Sequence, residues 1–426
     1  VNSGILGYKN RNALGTGTLI LVDGVAIGQD GVINNANLTG NDQTDRSLGN
    51  KIQLNGYVTF GLGGTANHLG GTMDLNGATR TITLGNTTYQ YGAVTNGGLV
   101  VDNGTAASSR LFGLYASNSY SGGTEVRTNA ILAVGNDNAL GTGALTFTNS
   151  TGSGNATLRA STISTNASQT RTITNAIVLA NGMNVTVEAV SSAQDSTGAS
   201  AAVSINTTLA GNISGSGSLT KTNSNTLTLS GSNSFTDLTV QSGVVELGNN
   251  NAMGTGTATL SSGTRLRSTV SLTNNQAITV SSGTGYVEAT AGTTNTLNGT
   301  LTKNGSVLVL GGGGTHVVNG SIVGANANSD LYVSNSTTTI NSQSTYNGPT
   351  YVVAGGSLVN GTNNALPTST DLIMGQSGET SSTTNSYNLS GKSQTVASVA
   401  SAGSGVNVIT NSTGSANFTL SGSVNK

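Results

Sequence analysis

Asn138-Ala139-Leu140-Gly141-Thr142-Gly143 is the stretch that decides the fold of this 426-residue chain. The same six letters stand at Asn12–Gly17, a near copy (NAMGTG) stands at Asn251–Gly256, and a diverged copy (NALPTS) stands at Asn364–Ser369. The alanines of the last three copies are spaced at a constant interval of 113 residues. A fixed interval of this kind is typical of repeat proteins, in which each unit buries its apolar side chains against the next.

The composition indicates ordered β-structure rather than disorder. The chain holds 62 glycines and only two prolines, its net charge is −1, and Val, Ile and Thr are abundant. Disordered chains are usually highly charged and poor in β-branched residues. Short aliphatic runs such as Leu19–Leu21, Thr81–Leu84 and Ala277–Val280 alternate with Gly- and Asn-rich turns. No 3.6-residue periodicity is found, so the prediction is all-β with many tight turns.

Strands of three to six residues are too short to bury a core alone, and stacking them in coils solves this problem. A 113-residue interval then holds about five coils of roughly 22 residues, which predicts about 19 coils in the whole chain. A string of β-sandwiches is the competing all-β arrangement. The absence of Trp and Cys and the very short strands argue against the sandwiches.

The longer strings around the third copy resemble a known repeat. They are Leu219–Lys221, Leu227–Thr236, Val240–Asn249 and Asn251–Gly256. Together they are similar to the autotransporter-associated β-strand repeat, found in the passenger regions of bacterial surface and secreted proteins. The resemblance covers most of the chain. It implies a right-handed parallel β-helix at the cell surface or outside the cell, used as a stalk, adhesin scaffold or export aid, and it brings no catalytic residues.

The repeat predicts one solenoid domain over residues 1–426. Its long repeats fall near 1–112 (partial and irregular), 113–225, 226–338 and 339–426 (partial). Val1–Ala13 aligns with Arg127–Ala139, and Val424–Lys426 aligns with Leu219–Lys221, so both ends fall inside a repeat. We therefore expect a window of a longer solenoid, or a subunit whose ends are covered by neighbours. Open coil ends are unpaired strand edges, which predicts end-to-end or lateral self-association.

Charge and cysteine content exclude several kinds of partner. The 15 basic and 16 acidic residues are scattered singly, which predicts no nucleic-acid partner. The absence of Cys excludes disulfides and thiolate metal sites. No apolar run approaches the ~18 residues of a membrane span.

The few candidate metal ligands are predicted to be ordinary surface groups. His68 and His316 are too far apart in sequence to form one site on a solenoid, and each is predicted to be a surface or turn residue. Asp42 and Asp45 share a polar loop that could seat a weak Ca²⁺, but a solvated turn explains them better. We predict no catalytic, cofactor or metal residues and no cofactor.

Enzymatic activity is also not expected. Polysaccharide lyases and hydrolases that use β-helices need clustered carboxylates or a basic side chain beside the sugar. The nearest such grouping is Asp74 with Arg80, which should lie on opposite sides of a turn. Gly311–Gly314 lacks the Lys-Ser/Thr ending of a phosphate loop and is predicted to be a wide turn.

Threonine, asparagine and tyrosine patterns have simple explanations. The threonines at 16, 18, 81 and 83 invite an ice-binding hypothesis, but they drift from coil to coil, and β-propensity accounts for them. Glycosylation triplets at Asn37 and Asn184 are expected by chance in so Asn-rich a chain. Tyr89 and Tyr91 could stack on sugars, although packing is the commoner role of tyrosine.

Taken together, the sequence predicts a non-enzymatic extracellular structural solenoid that forms a stalk, fibre or sheath at the bacterial cell surface and self-associates. The alternative is an adhesin or glycan-binding passenger with extracellular or cell-surface glycans as partners. A fibre should self-associate without ligand, whereas an adhesin should stay monomeric and retain a defined surface or sugar.

Overall fold

The computed structural model describes residues 1–2, 4–8, 14–29, 47–61, 66–150, 152–162, 169–189, 192–194, 200–202 and 204–422. These residues contain no helix and form a parallel β-solenoid of about 17 turns. The predicted fold class is therefore confirmed, whereas the predicted count of about 19 coils is slightly too high. Some coils are longer than 22 residues: Ile177 is paired with Leu145, and Ile213 with Ile177, which puts 32 and 36 residues between partners.

The chain divides into two compact units, Val1–Thr236 and Asp237–Lys426. The long-repeat boundaries and the single-domain organisation stay predictions. No helix capable of crossing a membrane occurs in the described ranges.

The strands of unit 1 are short and follow one another at turns. In chain order they are β1 Ile5–Tyr8, β2 Leu19–Leu21, β3 Val25–Gln29, β4 Ile52–Leu54, β5 Val58–Phe60, β6 Asn67–Leu69, β7 Met73–Leu84, β8 Thr88–Gln90, β9 Val94–Asp102, β10 Arg110–Leu114, β11 Thr124–Arg127, β12 Ala130–Val134, β13 Leu145–Thr148, β14 Gly154–Ala160, β15 Gln169–Ile173, β16 Ile177–Leu179, β17 Met183–Ala189, β18 Ser192–Gln194, β19 Ser200–Ala202, β20 Ile205–Leu209, β21 Ile213–Gly215, β22 Ser218–Thr222 and β23 Thr226–Leu229.

Those strands form parallel sheets. In sheet A the order is β1-β3-β5-β7-β9-β11-β13-β16-β21, with β2 and β4 beside it, and in sheet B it is β6-β8-β10-β12-β14-β17-β22. Sheet C adds β15-β20-β23. Consecutive strands of the chain usually enter different sheets, so each coil stacks on the one before it. The pair β18–β19 is antiparallel.

Unit 2 is more regular. Its strands are β24 Leu238–Val240, β25 Val244–Leu247, β26 Ala258–Leu260, β27 Arg265–Ser268, β28 Leu272–Asn274, β29 Ile278–Val280, β30 Thr284–Ala289, β31 Thr294–Leu297, β32 Leu301–Thr302, β33 Val307–Gly311, β34 Thr315–Val318, β35 Ile322–Gly324, β36 Leu331–Ser334, β37 Thr337–Ile340, β38 Thr345–Tyr346, β39 Thr350–Val353, β40 Ser357–Asn360, β41 Asp371–Met374, β42 Thr384–Asn388, β43 Gln394–Val396, β44 Ser398–Ser401, β45 Val406–Thr410 and β46 Phe418–Leu420.

Most coils of unit 2 place one strand in each of three parallel sheets. Sheet D contains β24-β26-β29-β32-β35-β38, sheet E contains β25-β27-β30-β33-β36-β39-β41-β44, and sheet F contains β28-β31-β34-β37-β40-β42-β45. The strands β43 and β46 form a further parallel pair. The coils with a strand in all three sheets are therefore triangular.

The core is built from rows of aliphatic side chains that face inward at the same register position of successive coils. In sheet D one such row is Ala258, Ile278, Leu301 and Ile322, all buried. Burying one such large aliphatic side chain contributes about 1.5–3 kcal/mol. Because side chains alternate across a strand, each inward row has an outward row beside it, and the outward rows carry the candidate functional residues.

The repeated stretch forms the same corner in the copies that begin at Asn138 and Asn251. Ala139 donates its backbone N–H to Asn136 O at 3.0 Å, and Ala252 donates to Asn249 O at 3.1 Å. The side chains of Asn136 and Asn249 also accept a backbone N–H two residues on, each at 2.9 Å. This asparagine turn fixes the corner and buries both alanines.

Each copy is also held by a side-chain amide from a later part of the chain. Asn50 donates to the carbonyls of Gly15 and Gly17 at 3.2 and 2.8 Å, and Asn175 makes the equivalent bonds to the second copy at 3.1 and 2.7 Å. Gln276 donates to Gly254 O at 2.7 Å. In the diverged copy a glutamine does the same. We call these four side chains the amide clamps: Asn50, Asn175, Gln276 and Gln394.

Glycines occupy the positions that stack on Asn50 in the following coils, because the backbones of adjacent coils are in close contact at these positions. A Cβ added at Gly71 would lie 1.9 Å from Asn50 O, and one added at Gly92 would lie 2.0 Å from Gly71 O. Neither glycine has a left-handed φ, so the requirement is purely steric. We expect Gly92→Ala to lower the free energy of unfolding by about 1–3 kcal/mol, measured by urea denaturation. Gly49→Ala, which meets no atom within 4 Å, is the matched control, and equal losses in both variants would contradict this.

Candidate functional site

An outward row of one arginine, three tyrosines and two aliphatic side chains crosses six strands of sheet E. Each member is paired in register with the next, and each is half-buried or nearly so. The sequence hides this row, because its members are separated by unequal coil lengths. We call it the tyrosine row: Arg265, Tyr286, Val309, Tyr332, Tyr351 and Ile373.

The rings of the tyrosine row are stacked on their neighbours. Tyr332 and Tyr351 have ring centroids 4.1 Å apart and planes within 10° of parallel. The guanidinium carbon of Arg265 lies 4.0 Å from the ring centroid of Tyr286. Burial, and next the neighbouring Tyr351, raise the pKa of Tyr332 to about 12, so the Tyr332 phenol is neutral at neutral pH. In the stacked pair, each ring covers one face of the other.

An ion-pair network lies beside the row. Arg267 is paired in register with Glu246 and Glu288, and its guanidinium lies 3.3 and 2.8 Å from their carboxylates. The second oxygen of Glu288 is bound by Arg265. Both oxygens of Glu288 are therefore occupied by guanidinium groups. This arrangement orders the surface, and it leaves Glu288 poorly suited to proton transfer.

A second aromatic group lies in unit 1, on the outer side of sheet B. The rings of Tyr91 and Tyr115 are 5.3 Å apart, those of Tyr89 and Tyr91 are 6.2 Å apart, and the His68 ring is stacked on Tyr91 at 5.9 Å. His68 Nδ1 is hydrogen-bonded to the Tyr91 hydroxyl at 3.2 Å. The Tyr115 hydroxyl is bonded to Ser161 at 3.2 Å. The predicted packing role of Tyr89 and Tyr91 agrees with this cluster.

The prediction that His68 is a surface or turn residue is wrong. It lies in the strand β6 and is only 7% exposed, because the tyrosine rings of the following coils cover it. Sequence reasoning missed this because the covering residues come from later coils.

The same prediction is wrong for His316, which is fully buried in β34. Thr315 and Val317 face outward, so alternation turns His316 into the core. Its Nε2 is 2.9 Å from Gly311 O, and its Nδ1 has no hydrogen-bond partner among the described residues. Burial lowers the pKa of His316 to about 4, against smaller opposing effects of Gly311 O and Glu288. Its protonation therefore costs stability as the pH falls from 6.5 towards 4.

Two lysines are buried in the corners, and sequence reasoning missed both. The ammonium of Lys303 is hydrogen-bonded to Ser329 O and lies 3.5 Å from the ring centroid of Tyr346. Burial lowers its pKa to about 7, and the nearby Asp330 opposes this. Lys221 donates to two turn carbonyls at 2.5 and 2.6 Å, and burial lowers its pKa to about 8. The available signal was the repeated Leu-Thr-Lys string in a chain with so few charges.

A cleft of about 680 Å³ in unit 1 contains two carboxylates, those of Asp102 and Glu125. The guanidinium of Arg127 lies 2.8 Å from Asp102 and 3.0 Å from Glu125, and Thr148 donates to the same Glu125 oxygen at 2.9 Å. Both carboxylates therefore share one guanidinium as their ion-pair partner. A catalytic acid–base pair needs two carboxyl groups in different environments, whereas Asp102 and Glu125 share the same environment.

Asp74 lines a second cleft of about 570 Å³, and Arg80 directly follows the lining residue Thr79 in the sequence. Both lie in β7, and the predicted turn between them is a bulge within this strand, where the register shifts and Asn76 and Gly77 have left-handed φ of 52° and 71°. Arg80 donates to Leu75 O at 3.0 Å. One oxygen of Asp74 accepts from the Asn76 backbone and the Asn96 side chain at 2.9 and 3.2 Å. The carboxylate thus stabilises the bulge rather than pairing with Arg80.

Three of the other positions singled out in the sequence, Asp42, Asp45 and Asn37, lie outside the described residues. Asn184 is in β17, where its side-chain oxygen accepts from Ser218 and Thr220 at 3.2 and 2.9 Å.

Gly311–Gly314 ends β33 and then turns, with φ of 101° at Gly312 and 84° at Gly313, as the predicted turn requires. No group of three His, Asp or Glu side chains that could hold a metal ion is found in the part of the chain that the structure describes.

Threonines form a regular outward row in sheet D that the sequence did not reveal. Thr81 and Thr83 pair with Val100 and Asp102, so threonine does not recur at these two positions in the next coil, as predicted. In sheet D, by contrast, threonine recurs on five of six successive strands, and the exception is the similarly shaped Val323. The β-propensity of threonine explains the row as it stands. Its members are Thr239, Thr259, Thr279, Thr302 and Thr345.

Comparisons of the chain with protein-family models, with curated proteins and with solved structures gave no match. A functional proposal therefore depends on the residues and their geometry.

Proposed function

We propose that the chain is a non-enzymatic structural β-solenoid that forms part of a stalk, fibre or sheath outside a bacterial cell and associates with further copies of itself. The observation that supports this most is the parallel register of unit 2, where most coils pair along three sheets. Backbone hydrogen bonds between coils all run in one direction, along the stack. Such a structure resists both extension and proteolysis, because each coil protects the backbone of the next.

Side-chain ladders reinforce the same direction. At one corner of unit 2 the amide of each asparagine donates to the oxygen of the asparagine in the preceding coil, at 2.7, 2.8 and 2.7 Å. Amide ladders of this type also stabilise stacked β-assemblies. The ladder consists of Asn275, Asn298, Asn319 and Asn341.

Self-association is favoured by the low net charge of the chain. The net charge of −1 provides little long-range repulsion between copies, and a net charge near zero promotes association. Outward rows of small polar residues, such as the threonine row of sheet D, let flat faces approach closely.

Glycan binding, the alternative, has less support. Sugars stack on exposed aromatic faces, whereas the Tyr332–Tyr351 rings face each other and the Tyr286 ring is covered by Arg265. The aromatic group around Tyr91 is likewise packed within itself.

The test is electron microscopy of the purified chain at increasing concentration, with mass measured on the same samples and with antibody labelling of intact cells that make it. We expect uniform filaments or bundles without added ligand, cell-surface label, and resistance to a protease that digests the urea-unfolded chain.

Single copies at every concentration that retain a defined glycan on an array would contradict the structural proposal and support an adhesin. Turnover of a polysaccharide would contradict the non-enzymatic part. Label confined to the cytoplasm would contradict the location.

A further inference from the structure

The Tyr332–Tyr351 pair differs from the other ring pairs of the described residues. Its centroid separation of 4.1 Å is the shortest and its 10° tilt is the smallest, whereas the other pairs lie 5.1–6.2 Å apart at 16–76°. The two residues are direct register partners in β36 and β39, so the solenoid itself imposes the stacking.

The phenol groups of the pair also lie together and face the surface. Tyr351 lies close enough to Tyr332 to contribute to its raised pKa, and both side chains are half-buried rather than enclosed. Parallel stacking brings the ring carbons ortho to each hydroxyl close to the same carbons of the partner ring. This is the geometry in which two phenoxyl radicals couple before either diffuses or reacts elsewhere, because the reacting atoms are already positioned.

We propose that Tyr332 and Tyr351 are a modification site at which an oxidant of the peroxidase and hydrogen peroxide class forms a dityrosine cross-link between adjacent coils. One hydrogen peroxide is reduced to two waters and takes one electron and one proton from each phenol. The two radicals join through a carbon–carbon bond between ortho carbons. Each ring then becomes aromatic again when its ortho hydrogen is lost as a proton and the oxygen regains one.

The cross-link has a structural consequence. It closes the chain between two coils that are otherwise joined by hydrogen bonds and packing, and so restricts the unfolded state of this part of unit 2. It needs no cysteine, of which the chain has none. The inference does not depend on the proposed function, because it concerns one ring pair within a single chain.

The experiment treats the full chain at low concentration with a peroxidase and hydrogen peroxide. Dityrosine fluorescence, intact mass and cross-linked peptide mapping are then measured. We expect a single-chain product that has lost two hydrogens, with the link between the peptides containing Tyr332 and Tyr351. Its urea midpoint should be higher than that of the untreated chain.

Tyr332→Phe and Tyr351→Phe keep the ring stacking and remove one phenol, so each should abolish the fluorescence without unfolding the protein. Tyr57→Phe is the matched control, because Tyr57 is 57% exposed and should not be needed. Absence of dityrosine in the native chain would overturn the proposal. So would a link that maps elsewhere, joins two chains or persists in either phenylalanine variant.

Discussion

Gln394→Leu is expected to lower the free energy of unfolding by about 3 kcal/mol or more, because it leaves buried hydrogen-bonding groups without partners. The amide of Gln394 donates to Leu366 O at 3.0 Å and accepts from Leu366 N at 3.1 Å. It also accepts from Asn360 Nδ2 at 3.3 Å. Leucine has a similar volume, so the variant removes the bonds with little change in packing. Each buried group left unpaired costs about 1–3 kcal/mol.

Two measurements test this: urea denaturation gives the free energy of unfolding, and hydrogen exchange of the native protein reports on the Leu366 amide. Gln343→Leu is the matched control, since Gln343 is exposed and its side-chain amide donates a hydrogen bond to Asn363 O at 3.2 Å. We expect a change within about 0.5 kcal/mol for that control. If the two variants lose equal stability, the amide clamp does not hold the repeated corner.

The clamps show how far sequence reasoning reaches in this chain. The repeated stretch and its spacing predicted the coils, because the corner is local: an asparagine turn, a buried alanine and a glycine. The clamps could not be predicted, because each comes from a later part of the chain at an irregular distance. Asn50 reaches back 35 residues to Gly15, whereas Gln276 reaches back only 22 to Gly254.

The candidate site was hidden for the same reason. Tyr332 and Tyr351 are 19 positions apart, whereas Val309 and Tyr332 are 23 apart, so no fixed period aligns the tyrosine row. The buried histidines were missed because polarity suggested exposure, although the alternation around His316 was visible. Register across coils is a property of turn lengths, and turn lengths vary here.

Buried ionisable groups predict an unusual pH dependence, with stability rising from neutral pH towards pH 9. The pKa of Lys303 is lowered from 10.5 to about 7 by burial, and that of Lys221 to about 8. Between the folded and unfolded pKa values the unfolded chain binds a proton that the folded chain does not. The free energy of unfolding therefore rises by up to about 1.4 kcal/mol per pH unit for each lysine.

The free energy of unfolding stops increasing near pH 10, because ionisation of the tyrosines changes it in the opposite direction. Burial raises the pKa of Tyr8 and of Tyr115 to about 12, so above pH 10 the unfolded chain releases protons that the folded chain keeps. Stability then falls as the pH rises. We expect the maximum at about pH 9–10, above the usual range between about pH 5 and 8.

Urea midpoints between pH 7 and 9 test the role of Lys303. Lys303→Met keeps the apolar stem that packs against Tyr346 and removes the amine, so the midpoint should rise less steeply with pH than in the native chain. Lys392→Met is the control, because Lys392 is exposed, and it should leave the slope unchanged. A native midpoint that is flat or falls over this range would show that Lys303 keeps its proton in the folded chain. The ammonium would then be stabilised by Ser329 O and the Tyr346 ring despite its burial.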